Sequence, residues 1–95
     1  MPAYIVSTVT ISDPDRFGAY TRAIAGLAEK HGGRYLVRGP VSAQLEGEAV
    51  PGERIVVLEF PDESAARGYV ESPEYQAGKV HREGAGTVNL RLVAA

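Results

Sequence analysis

AYIVSTVTISDPDRFGAY, residues 3–20, changes period in its middle, and that change sets the fold. Ala3, Ile5, Ser7, Val9 and Ile11 fall on one side of an extended chain, and Tyr4, Val6, Thr8 and Thr10 on the other. This is the two-residue alternation of a strand rich in β-branched side chains. Ser12-Asp13-Pro14 then starts a helix, with Asp13 as N-cap and Pro14 at the first helical position, where a missing N–H costs nothing. From there Phe17, Tyr20, Ile24, Leu27, Ala28 and His31 recur on one helical face. Gly32-Gly33 stops the run, so the pattern predicts one helix from Pro14 to His31.

Downstream the same switch recurs. Arg54–Phe60 (RIVVLEF) is the most apolar run and reads as a central strand, and Pro61-Asp62 opens a helix over Glu63–Val70. Ser72-Pro73 repeats the cap-plus-proline signal for a third helix, Pro73–Arg82. Gly84-Ala85-Gly86 breaks it, and Thr87–Val93 is the last strand. Between the two halves, Arg34–Arg38 is a short strand closed by Gly39-Pro40. Val41–Glu48 (VSAQLEGE) alternates as another strand, and Val50-Pro51-Gly52 is a turn. The order β-α-β-β-β-α-α-β over residues 1–95 predicts a single α+β domain. Its plan is a ferredoxin-like split βαβ, an antiparallel sheet with helices on one face.

Composition excludes several classes of function. Ten basic and twelve acidic residues are interspersed and leave a net charge of −2, so no basic stripe is available for a nucleic-acid backbone. Cysteine is absent, which removes disulfides, thiolate catalysis and Cys-based zinc sites. MPAYIVSTVTIS lacks the pattern of a signal peptide and no apolar run is long enough to span a bilayer, so a cytoplasmic protein without membrane contact is expected. A chain of 95 residues buries a modest share of its surface, and pairing with a second copy is an easy source of stability.

Alternation divides the sheet into two faces of different chemistry. One collects Ile5, Val9, Ile11, Tyr35 and Val37, continues through Val56, Leu58 and Phe60, and ends with Val88, Leu90 and Leu92; it fits beneath the helices. The other collects Tyr4, Thr8, Arg34, Leu36 and Arg38, with Val57, Glu59, Asn89 and Arg91 beyond them. Apolar walls with a few polar groups suit a small-molecule pocket, closed into a barrel by the same face of a second subunit. The other reading is a half-exposed sheet whose polar residues meet water.

Four blocks carry a family resemblance: MPAYIVSTVTISDP, KHGGRYLVRG, RIVVLEFPDESAA and SPEYQ. In their order along the whole chain they resemble the domain-of-unknown-function 1330 family of small bacterial proteins. The resemblance implies a dimeric α+β barrel, a fold shared with cofactor-free monooxygenases, cyclases, isomerases and stress-response proteins, and it implies no agreed reaction. The tail VHREGAGTVNLRLVAA departs from the family's usual pattern.

Candidate residues follow from the mixed face. Arg38 has the guanidinium to hold a carboxylate or enolate, or else an ion pair with Glu59. Glu59, an acid in an apolar strand, is a proton-transfer candidate or a structural partner for Arg38 or Arg91. His31 is a proton shuttle or a helix C-terminal cap. Tyr4, Thr8, Leu36, Val57, Asn89, Arg91, Tyr20 and His81 would shape a substrate site, with His81 at its rim. His31 and His81 have no HxxxH or HxxE spacing, so no metal is expected, and no redox-cofactor signature occurs. Two functions remain. One is a cofactor-independent enzyme of proton transfer, cyclisation or isomerisation on a small organic or polyketide-like metabolite. The other is a non-catalytic ligand-binding or dimerisation module.

Overall fold

Pairing starts where the sequence alternates. In the computed structural model, which describes all 95 residues, β1 (Ala3–Ile11) lies inside the sheet with β3 (Arg54–Phe60) on one side and β4 (Gly86–Ala94) on the other. β2 (Arg34–Pro40) pairs with the far edge of β3, which gives the order β2-β3-β1-β4 with every neighbour antiparallel. β1 and β2 therefore run parallel with β3 between them, as do β3 and β4 around β1. This is the ferredoxin-like arrangement, with helices on one face.

The predicted caps form. Asp13 accepts from the Arg16 amide at 3.2 Å and opens α1 (Pro14–Ala23). Asp62 accepts from the Ala65 amide at 2.8 Å and opens α3 (Glu63–Glu71). Ser72 accepts from the Tyr75 amide at 3.1 Å and opens α4 (Pro73–Lys79), while its own hydroxyl donates to the Tyr69 carbonyl at 2.7 Å. Ser72 is thus fully used as a cap.

Three expectations are corrected. The long first helix is broken: α1 ends at Ala23, and a separate turn, α2 (Leu27–Lys30), resumes after Gly26 at φ 78°, a left-handed backbone that glycine adopts without a Cβ penalty. The stripe of Phe17, Tyr20, Ile24, Leu27 and Ala28 is nevertheless buried, so two short helices present one apolar side. The third helix ends at Lys79, and residues 80–82 tighten into a 3-10 turn. Finally, Val41–Glu48 is not a strand. Only Val41 is tied across, its amide donating to the Glu53 carbonyl at 2.9 Å. Leu45 is 91% exposed, so the alternation there has no apolar layer to pack against. Between β2 and β3 the chain runs as an open connection, and the element order loses one strand.

α3 rests on the sheet with Ala66 and Tyr69 buried, whereas α1 packs on α4 and the 3-10 turn. Tyr75 and Phe60 are the largest fully buried side chains. No helix is long and apolar enough to cross a membrane.

Candidate functional site

A single extra residue in β2 decides what the site contains. Arg34 is opposite Glu59 and Tyr35 opposite Leu58, but the next pair is Val37 with Val57, leaving Leu36 as the unpaired residue of a β-bulge. Side-chain parity shifts by one position there. Arg38 consequently lies opposite Val56, on the helix side of the sheet, and Val37 turns to the open side, 50% exposed. Uninterrupted alternation places both residues on the opposite faces, and the bulge is the reason the structure differs.

Because α1 stands away from the strands, a cavity of about 630 Å³ opens between it and the sheet, within the range of small-molecule pockets. Val9, Val56, Leu58 and Leu90 form an apolar floor, and Phe17 and Ile24 contribute from α1 and its end. Tyr20, Tyr35, Tyr69 and Tyr75 line it as well, four of the chain's five tyrosines. Polar groups among these walls are Ser7, Thr21, Glu29, Arg38 and Arg54, with the Thr21 hydroxyl donating to the Gly18 carbonyl. This cavity lies within a single chain, beneath its helices, on the opposite side of the sheet from the mixed face.

The tyrosines form a connected wall. The Arg82 Nη1 donates to the Tyr75 hydroxyl at 2.9 Å, and that hydroxyl is 3.2 Å from the hydroxyl of Tyr20. The Arg82 guanidinium also lies 4.8 Å from the Tyr20 ring centre, a cation–π contact. Burial pushes the Tyr20 and Tyr69 phenols far above their usual range, with neighbouring tyrosines adding to the effect. Tyr35 is raised by burial too, against an opposing influence from Arg38, whose guanidinium sits 4.4 Å over its ring. Tyr20, Tyr35 and Tyr69 therefore remain protonated at neutral pH.

On the opposite face a second set meets. Arg34 Nε donates to Glu59 Oε1 at 2.7 Å, so the partner of Glu59 is Arg34, in place of the expected Arg38 or Arg91. This hydrogen bond holds the Glu59 carboxyl below the usual carboxylate range, with Tyr4 assisting from the adjacent strand. Arg91 Nη2 reaches Thr8 Oγ1 at 3.4 Å, and Val57 and Asn89 share this side.

The candidate set is therefore split. Arg38 and Tyr20 come together in the cavity; Tyr4, Thr8, Val57, Glu59, Asn89 and Arg91 gather on the far face. Leu36 is the bulge residue, and His81 is exposed on the 3-10 turn. His31 closes α2 through its backbone amide, its ring edge-on to Tyr69 with centres 6.2 Å apart. Reading the sequence alone missed Ser7, Glu29, Arg54 and Tyr69 as cavity residues. Ser7 and Arg54 carried a signal, since each shares parity with the apolar half of its strand. No three metal-ligating side chains come together.

Residues 2–95 match the family model described as a domain of unknown function, DUF1330. The chain belongs to the DUF1330 family. No curated protein matches it. Among solved structures, this DUF1330 chain is similar to a protein of unknown function from Rhodopseudomonas palustris. The two are 21% identical over 99% of this chain and 82% of that one, with a TM-score of 0.77. SnoaB, a cofactor-independent oxygenase from Streptomyces nogalater, is 14% identical over 99% of this chain and 92% of its own, with a TM-score of 0.69. A dimeric ferredoxin-like protein of unknown function from Thermobifida fusca is 17% identical over 100% and 92% of the two chains, with a TM-score of 0.63. At these identities the likeness concerns the fold of the DUF1330 domain.

Proposed function

We propose that this DUF1330 protein is a cofactor-independent enzyme that moves a proton on a small, partly apolar organic molecule held in the cavity. The observation that carries this reading is Arg38, turned by the β2 bulge into a cavity whose lining also includes Glu29. Removing a proton from carbon next to a carbonyl leaves an enolate with its charge on oxygen. Arg38 stabilises that oxygen by charge-assisted hydrogen bonding, and the Glu29 carboxylate takes the proton and returns it to carbon or passes it to water. The tyrosine wall orients the substrate, and the apolar floor excludes water. That the same fold serves a cofactor-independent oxygenase in SnoaB supports chemistry of this kind. Glu59 and His31, proton-transfer candidates from the sequence, have no place in this scheme because they lie outside the cavity lining.

Loss of deuterium from C1-labelled 2-tetralone, followed by NMR, tests the reading. Exchange at least ten times faster than in buffer is expected, falling to the buffer rate with Arg38→Gln or Glu29→Gln while the far-ultraviolet circular dichroism is unchanged. Buffer-rate exchange with the parent protein would instead support a non-catalytic binding module.

The open face supports a second statement, that two copies pair through it. It mixes Val6, Val37, Ile55 and Val57 with the Arg34–Glu59 pair, and the Thermobifida fusca relative is a dimer. Light scattering at micromolar concentration is expected to give twice the chain mass. The mass of a single chain would remove the proposal.

A further inference from the structure

Two arginines serve a cavity in which one developing enolate needs one. Arg38 is opposite Val56 in the β2–β3 ladder and Arg54 opposite Pro40, so the two lie diagonally on the same face, with Cα atoms about 7–8 Å apart. Neither is paired with a carboxylate: the chain's ion pairs are Lys30–Glu74, Arg34–Glu59 and Arg67–Glu63. Arg38 is exposed at the cavity's edge, stacked over Tyr35, and Arg54 is half-buried, so both guanidiniums are open to the charge of a ligand.

A second observation points the same way. Ser7 lies in the cross-strand row Arg38–Val56–Ser7–Leu90, two strands from Arg38, and is 4% exposed. Its hydroxyl has no partner among the side-chain hydrogen bonds, yet no side-chain polar atom is sealed without one, so the Ser7 hydroxyl opens to the cavity. Between these polar points the floor is Val56 and Leu58, flanked by the Tyr35 ring. An apolar strip with positive charge at one end and a hydroxyl at the other describes its occupant.

We infer that the ligand is a planar aromatic acid. Its carboxylate sits against Arg54 with Arg38 beside it, its ring lies over Val56 and Leu58, and an oxygen at its far end meets Ser7. The inference rests on the cavity being the functional site, and it adds the class of molecule that site takes: the fixed charge of the acid engages Arg54, which leaves Arg38 free to share the charge that develops.

Titration calorimetry with 2-naphthoate and its uncharged counterpart 2-naphthamide separates the two levels. Naphthoate is expected to bind the parent at least ten-fold more tightly than the amide. Arg38→Met/Arg54→Met is expected to abolish that preference through a loss of naphthoate affinity alone, and the retained amide affinity then shows that the variant is folded. Arg54→Met alone is expected to remove most of the preference. Equal affinities in the parent, or a preference that survives the double substitution, would overturn the aromatic acid while leaving the cavity as the site. Failure of both compounds to bind the parent would overturn the cavity reading, and this inference with it.

Discussion

Tyr75→Ala is expected to destabilise the protein by about 3–5 kcal/mol, the cost of deleting a large buried ring. Tyr75 is 1% exposed and makes edge contacts with Tyr69 and Tyr20 at centroid distances of 5.1 and 6.3 Å. It also supplies the only hydrogen-bonded side-chain partner of Arg82, at 2.9 Å. Domains of this size hold roughly 5–15 kcal/mol in total, so the variant loses a large share of its stability. Tyr75→Phe separates the two contributions. It keeps the ring and removes the acceptor, leaving the partly buried guanidinium with its stacking on Tyr20 alone, and is expected to cost about 1.5–3 kcal/mol. Urea unfolding of the three proteins measures both. Equal stability of the phenylalanine variant and the parent would show that the Arg82–Tyr75–Tyr20 contact does not hold α1 against α4.

Gly86→Ala acts on backbone instead of side chain, and its cost is expected at the upper end of the range of about 1–3 kcal/mol for overpacking. Gly86 is opposite Ile11 where β1 and β4 begin to separate, and a Cβ there would strike the Thr10 carbonyl oxygen and lie 3.2 Å from the Ile11 Cα. Neither obstacle can rotate away. The preceding Ala85 carbonyl accepts from the Ser12 and Asp13 amides at 2.9 and 3.0 Å, so displacement of β4 also disturbs the segment that caps α1. Gly39→Ala is the control: a Cβ there would meet nothing within 4 Å. In thermal unfolding Gly86→Ala is expected to lower Tm by about 10 °C or more. A shift no larger than that of Gly39→Ala would contradict the backbone argument.

How far the sequence reveals this molecule depends on the range of the interaction involved. β1, the caps at Asp13 and Ser72 and the strand Arg54–Phe60 were legible because each is settled by neighbours a few residues away. The break at Gly26 was hidden, since Ile24, Leu27 and Ala28 continue the helical spacing across it and one glycine is tolerated in a helix. Val41–Glu48 misled for the opposite reason: alternation was present, but no partner strand or apolar layer was there to use it. In the site, Tyr20 was named from its helical position, whereas Tyr69 and Glu29 enter through the packing of α3 and α2, which local pattern does not encode. Alternation alone puts Arg38 on the open side of the sheet, opposite to where it lies. Its side depends on the pairing of β2 with β3, a contact between segments joined by a long open connection.

The bulge at Leu36 also governs how this domain is compared with its relatives. Removing that one residue would leave Tyr35, Val37 and Arg38 facing the partners they already face, whereas a gap drawn after Arg38 would put the relative's arginine in the column of Val37, on the open side. A relative one residue shorter in this strand therefore keeps the same arginine in the same place, provided the gap is set before Arg38. Arginines matched by column alone would be assigned to opposite sides of the sheet, and two proteins with one site would be counted as two.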